Sequence, residues 1–224
     1  MERMLGTVVR GLRAPIFKEG DNLVELISEL LMKVYEVEKI QPRHRDILAI
    51  TESVVARAQG NYANIDDIAE DFHEKFPENV SVGIIFPILS RNRFATTLRG
   101  IAKGASMGNR SLVLMLSYPS DEVGNHLAYA EVLEDKGVNP WVDVLSEEEY
   151  RSLFGGFHHV FTGVDYVEFY RQILEEYQVP CKVIFANKAT TILDYTKHVL
   201  SCDIHTRERT KESLQQAGVE TLFT

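Results

Sequence analysis

The chain has 224 residues, 45% of them hydrophobic, with 33 acidic against 24 basic side chains and a net charge of −9. This composition is that of a globular protein able to bury a large core, and it excludes a disordered chain. The negative balance argues against a nucleic-acid-binding protein, which would show clustered excess Lys and Arg, so an anionic ligand must meet a local positive site.

The longest apolar stretches, such as VGIIFPIL, fall far short of the roughly 20 residues that cross a bilayer. The opening MERMLGTVVRGLR has no apolar region followed by a small-residue cleavage site. A cytoplasmic protein without membrane contact is the expectation. Cys181 and Cys202 make neither a disulfide framework nor a zinc knuckle, and they read as buried thiols in a reducing compartment.

In chain order, residues 6–17 read as a strand running into a turn at Pro15. Leu23, Leu26, Ile27, Leu30, Leu31 and Val34 recur at helical spacing behind Asp21, which predicts a helix with a core-facing stripe. DILAIT (46–51) reads as a short buried strand, ESVVARAQG as a short helix closed by Gly60, and NIDDIAEDFHEKF as an acidic helix. SVGIIFPIL is the strongest strand, followed by a helix from Ser90 to Lys103 and by a second buried strand at 111–117.

Residues 120–163 carry Gly, Asn and Pro breakers around a helical SEEEYRSLF, and read as an irregular insertion or connection. From Asp165 the alternation returns: helix DYVEFYRQILEEY, strand CKVIFAN, helix ATTILDYTKHVL, strand CDIH, helix TRERTKESLQQAG and strand VETLF. The pattern predicts an α/β fold, or a mixed α+β one, with a layered, at least partly parallel sheet and flanking helices. It divides into a region at 1–119, the connection at 120–163, and an α/β segment at 164–224 that belongs to the same domain or stands apart. An apolar strand at the last residue fits a chain that continues past residue 224, and also one that ends on an edge strand.

One window departs from the overall charge. Between Asn79 and Ser120 stand five bases, Arg91, Arg93, Arg99, Lys103 and Arg110, and no acid, where the chain average of 33 acids in 224 residues would place about 6. A helix beginning at Ser90 offers free amides and the positive end of its dipole, and Arg91 and Arg93 add fork-shaped donors there, a pattern that suits a phosphate. The other account is a basic face that pairs with acids elsewhere in the chain.

Ligands of open α/β sheets bind beyond the carboxyl ends of the strands, here Thr51 and Glu52, Ser90 to Arg93, Ser117 to Glu122, Asn187 and Lys188, and Asp203 to Arg207. Asp121 and Glu122 directly follow a buried strand, where they would hold Mg²⁺ or Mn²⁺ beside a phosphate or simply form a polar loop. Asp203 and His205 would share a strand face as a hydrogen-bonded pair or a metal site, whereas His158 and His159 point to opposite sides. No phosphate-binding GxxxxGK[ST] loop and no dinucleotide fingerprint occurs.

Pro15, Gly20, Asp21 and Leu23 in FKEGDNLVELI and its preceding loop, and Asp46, Val54, Val55, Ala58 and Gly60 in DILAITESVVARAQG, together with LSR at 89–91 and Gly100-Ile101, give the first half of the chain a familiar outline. It resembles the γ-glutamyl ligases that extend the deazaflavin coenzyme factor 420. The resemblance implies a GTP-dependent, metal-assisted enzyme that joins glutamate through its α-amine to a carboxylate-bearing acceptor by way of an acyl phosphate, working as a homodimer. Carried over by residue, Leu12, Ala14, Pro15 and Ile16 would hold the nucleotide with backbone groups, and Thr51, Glu52, Ser90 and Arg91 would sit beside it. Arg57 would meet phosphate on the same resemblance; by position and chemistry rather than by motif, Arg93 and Arg99 join it as phosphate contacts, and Asp121 and Glu122 would hold the metal. Arg57 stands where the family has Lys, Ala56 where it has Ser, Gln59 where it has Glu, and Ala102 where it has an acid. A non-catalytic nucleotide- or anion-binding domain is the second expectation.

Overall fold

Strands β1 (Ser81–Ile85) and β2 (Ser111–Leu116) are nearly unbroken apolar runs, and a run without polar alternation is stable only when both faces of its sheet are covered. The computed structural model, which describes residues 6–224, shows that cover. The first five residues of MERMLGTVVRGLR lie outside it. The chain divides into two compact units, with the break between Ala63 and Asn64.

The first unit holds α1 (Leu23–Val37) and α2 (Glu52–Ala58). Asn22, not Asp21, caps α1 by accepting from the Glu25 amide, while Asp21 accepts from the amide of Lys18 in the preceding turn. Only Ile27 of the expected stripe is fully buried; its neighbours are half-covered. The strands expected at 6–17 and 46–51 do not form. A strand needs a neighbouring strand, and neither segment joins the six-stranded sheet: Val9 is 90% exposed and Ile47 is 92% exposed.

The second unit opens with α3 (Ile65–Lys75), started by a reciprocal capping box between Asn64 and Asp67. After β1 come α4 (Phe94–Met107), β2, α5 (Ala130–Asp135), β3 (Leu145–Ser146), α6 (Glu147–Phe154) and α7 (Tyr166–Glu176). Then follow β4 (Cys181–Phe185), a 3-10 turn at Ala189–Asp194, β5 (His198–Ser201), α8 (Arg207–Gln216) and β6 (Thr221–Phe223). The sheet order is β3-β4-β2-β1-β5-β6, with every neighbouring pair parallel except β3 with β4.

Alternate residues of the central strands enter two cores. Val82, Ile84, Leu112, Leu114, Leu116, Val183 and Phe185 face the side that also holds Phe94, Leu98, Ile101, Tyr170 and Ile173. Ile85, Val113, Met115, Ile184 and Val199 face the other, with Ile192 and Leu214. Burial of both sets accounts for the continuous apolar text of the strands. On the first face α4 lies so close to α3 that a Cβ built on Gly104 would stand 2.4 Å from the Ala69 carbonyl oxygen.

Four sequence expectations need correction. β1 stops at Ile85, because Phe86 turns to φ +53° and Pro87 follows. α4 begins at Phe94, not Ser90. The helix expected over 189–200 is a short 3-10 turn that gives way to β5, and the strand expected at 202–205 is loop. The Thr196 hydroxyl donates to the Ser81 carbonyl, which holds the β-branched and apolar HVLS segment against β1. Residues 120–163 hold α5, β3 and α6 and belong to the second unit.

Candidate functional site

Parallel pairing sends the carboxyl ends of β1, β2, β4 and β5 to one edge of the sheet, so the loops beginning at Phe86, Ser117, Ala186 and Cys202 collect there. All four loops are cross-tied. The Asn187 side chain accepts from the Tyr118 amide at 3.1 Å and donates to the carbonyls of Tyr118 and Pro140. The hydroxyl of the fully buried Tyr118 donates to the Asp143 carbonyl at 2.8 Å, and burial pushes its pKa up to about 12.

The loop after β1 carries the cationic tip. Ser90 Oγ accepts from the Arg93 amide (3.1 Å) and donates to Asn92 Oδ1 (2.9 Å), while the Ser90 carbonyl accepts from the Ala95 amide (2.9 Å). Two of the amides expected to be open at this turn are thus taken by Ser90 itself. Arg91, Asn92 and Arg93 are exposed, and no carboxylate of the described residues makes an ion pair with either guanidinium. The base of the loop is fixed by side chains from far along the chain. Leu89 N–H donates to Asp121 Oδ2 (2.8 Å), Ser90 N–H donates to the Tyr170 hydroxyl (2.7 Å), and that hydroxyl donates to the Ile88 carbonyl (2.9 Å). Burial drives the Tyr170 pKa far upward, so its proton stays in place.

The other bases of the acid-free window have structural partners. Arg99 pairs with Glu176, and Lys103 pairs with Asp66 at 2.7 Å, whose hydrogen bond and charge raise the lysine pKa. Arg110 is 2% exposed and meets backbone carbonyls: Nε donates to Pro77 (2.8 Å), Nη1 to Gly104 (3.1 Å), and Nη2 to His73 (2.9 Å) and Phe76. Three of those carbonyls lie at or just past the end of α3, where a cation is favoured by the helix dipole. Burial lowers the Arg110 pKa, while Glu78 opposes the shift.

The carboxylates of Asp121 and Glu122 are engaged by the protein's own amides. Asp121 is 6% exposed, and its oxygens accept from the amides of Leu89, Val123 and Asn125 and from Asn125 Nδ2, at 2.8–3.0 Å. Glu122 accepts from the amides of Ile204 and His205 and lies 3.3 Å from His205 Nδ1. Among the described residues no three His, Cys, Asp or Glu side chains gather closely enough to hold a metal. A resident divalent cation therefore does not fit these residues as they stand.

Asp203 and His205 are not a pair. The Asp203 carboxylate accepts from the hydroxyls of Ser201, Thr206 and Thr210, whereas His205 turns to Glu122. His159 Nε2 lies 3.2 Å from Asn125 Oδ1. Burial pushes both thiols up to about 12; Cys181 lies on β4 and Cys202 follows β5, with β2 and β1 between those strands. In the first unit, Ala14, Pro15, Ile16, Thr51, Glu52 and Arg57 are exposed and Leu12 is half-covered; the Gly20 amide ties their loop to α2 by donating to the Ala58 carbonyl (2.9 Å). Sequence reading missed Tyr170 and Asn125 as organisers of this edge. For Tyr170 the signal was a polar-tipped aromatic inside the apolar stripe of a helix.

The second unit is an α/β scaffold with helices packed over both faces of its sheet and polar loops gathered at one edge, an architecture that suits small-molecule enzymes. Residues 11–190 match the family described as F420-0:Gamma-glutamyl ligase, and the chain belongs to that family, one of ligases acting on small molecules. No curated protein and no solved structure matches the chain. No helix among the described residues is long and apolar enough to cross a membrane.

Proposed function

We propose that this protein is a GTP-dependent γ-glutamyl ligase that forms an amide between the α-amine of glutamate and a carboxylate-bearing acceptor. The family match over residues 11–190 carries the reading. The exposed guanidinium groups of Arg91 and Arg93, without acidic partners at the carboxyl edge of the sheet, support it. The acceptor carboxylate attacks the γ-phosphorus, forming a C–O–P linkage and releasing GDP. The amine then attacks the acyl carbon, inorganic phosphate leaves, and the amine proton passes to solvent. Neutralising the repulsion between a triphosphate and a carboxylate is the main electrostatic task, and two exposed guanidinium groups beside a loop held by hydrogen bonds are suited to it.

In this reading Arg93 and Arg91 meet phosphate, with Ser90 shaping their turn. Within the first unit, the candidates that the family resemblance suggests are Arg57 for a phosphate and Leu12, Ala14, Pro15, Ile16, Thr51 and Glu52 for a nucleoside. Arg99, engaged by Glu176, drops out of the proposed set. Mg²⁺ or Mn²⁺ enters as the companion of the triphosphate substrate, because Asp121 and Glu122 are committed to loop amides. The exposed apolar side chains Val8, Val9, Ile16, Ile47 and Ile50 support a homodimer in which a second copy covers them. Two unpaired, half-buried thiols suit the cytoplasm.

A second reading, a nucleotide- or anion-binding domain without catalysis, is favoured by that same commitment of the two carboxylates. Thermal unfolding with GTP, ATP or GDP, each with and without Mg²⁺ or Mn²⁺, tests both. A ligand at 100 times its Kd adds about 2.7 kcal/mol of stability. Stabilisation by GTP, followed by glutamate-dependent phosphate release with an acceptor, is the ligase outcome. Stabilisation without turnover leaves the binding domain, and no stabilisation by any nucleotide overturns the ligase and the nucleotide-binding domain alike.

A further inference from the structure

We infer that Tyr170 is a positioning residue for the loop after β1, its hydroxyl holding the backbone at Ile88 and Ser90 so that Arg91 and Arg93 are presented together to a polyphosphate. The assignment rests on the ligase reading, from which the polyphosphate is taken.

The loop from Phe86 to Arg93 has no regular secondary structure, so its buried backbone groups must find partners one by one. A phenolic hydroxyl has one proton and accepts through its lone pairs. Tyr170 directs both functions at this loop, accepting from Ser90 N–H at 2.7 Å and donating to the Ile88 carbonyl at 2.9 Å. Between those two positions, Leu89 N–H is taken by Asp121. Three consecutive residues are thereby tied to α7 and to the loop after β2.

The ring that carries the hydroxyl is itself immobile. Tyr170 is 0% exposed and packs edge-on against Phe94, the first residue of α4, at 5.3 Å, and against Tyr166 at 5.8 Å. One side chain therefore sets both the loop and the start of the helix that follows it. Immediately beyond the clamp, Arg91 to Arg93 are exposed. A fixed base under a free cationic tip is what electrostatic preorganisation requires, since the donors need not be assembled when the anion arrives. A hydroxyl serving the core alone has simpler needs. The equally buried Tyr150 makes a single bond, to the Leu127 carbonyl at 2.6 Å, away from this loop.

That contrast supplies the control. Tyr170→Phe and Tyr150→Phe each remove one buried hydroxyl and keep the ring, so both should lower the melting temperature. Affinity for inorganic tripolyphosphate and for GTP is then measured by calorimetry. The expected result is a loss of about tenfold for both ligands in Tyr170→Phe and less than twofold in Tyr150→Phe. In an Arg91→Ala, Arg93→Ala background, Tyr170→Phe should produce no further loss. If the unmodified protein binds and Tyr170→Phe binds equally well, or if its loss persists without the two arginines, the positioning role is overturned while the ligase reading stands. If the unmodified protein binds neither GTP nor tripolyphosphate, both fall. Should Tyr170→Phe not fold, amide hydrogen exchange over residues 88–93 of the unmodified protein decides. Tripolyphosphate should slow it, and exchange unchanged at saturating ligand overturns the assignment.

Discussion

The carboxylates of Asp121 and Glu122, adjacent in the chain, reach in different directions: Asp121 takes the Leu89 amide in the loop after β1, and Glu122 takes the amides of Ile204 and His205 in the loop after β5. These two loops flank β1 and its neighbour β5, so the dipeptide fastens the ends of strands on which it does not itself lie. A pair of acids that resembles a cation site in sequence is a tie between loops in the fold.

It follows that Asp121→Ala should destabilise the protein by about 3 kcal/mol, because three amides lose a buried acceptor. Urea unfolding measures the loss. Adding Mg²⁺ or Mn²⁺ to the unmodified protein without nucleotide should leave its melting temperature unchanged. A rise in melting temperature that Asp121→Ala abolishes would show instead that these acids bind the ion.

Arg110→Met keeps much of the side-chain volume but strips the donors from the carbonyls of His73, Phe76, Pro77 and Gly104. The expected cost is about 3 kcal/mol, and hydrogen exchange should quicken first in the last turn of α3. A variant as stable as the parent would mean that the charge at the end of this helix contributes nothing.

Glu149 provides an acid-sensitive cap. Its carboxylate accepts from the Ser146 amide and hydroxyl, both at 2.7 Å, and these bonds hold its pKa below the ordinary value of 4.5. A depressed folded-state pKa gives stability that is complete above the ordinary value and is lost as pH falls through the lowered one. The melting-temperature advantage of the parent over Glu149→Gln should therefore be present at pH 7 and shrink below about pH 4. A constant difference across that range would count against the carboxylate as its source.

Cys181 and Cys202, each pushed up to about 12, should react with iodoacetamide at pH 8 at least ~100-fold more slowly than an ordinary thiol, and both should react at once in guanidinium chloride. Rapid labelling of the folded protein at either position would mean that its surroundings are wetter than the fold indicates.

Where the text was legible, local chemistry and tertiary context agreed. Ser146 with Glu149 announces α6, and the SVGII and SLVLML runs announce two adjacent central strands. Where it misled, context won. Ile47 and Ile50 have the apolar character of strand residues, yet their segment joins no sheet, and Ile47 is almost fully exposed. HVLS was hidden in an apparent helix because no Gly or Pro between Ala189 and Ser201 marks the end of the 3-10 turn before it. The site was legible as a set of strand ends, since parallel pairing follows from βα alternation. Its internal wiring was not. Nothing local distinguishes an arginine caged by carbonyls, as Arg110 is, from an exposed one such as Arg91, and Tyr170 meets Ser90 only because α7 folds back across α4.

The central strand of this sheet is also among the slowest to be completed. β1 gains one neighbour when Ser111–Leu116 leaves the ribosome, but its other edge stays open until His198–Ser201 has been made. Until His198–Ser201 has been made the nascent chain therefore displays an apolar hydrogen-bonding edge with no native partner, the kind of surface that holdase chaperones shield and that seeds aggregates when synthesis outpaces them.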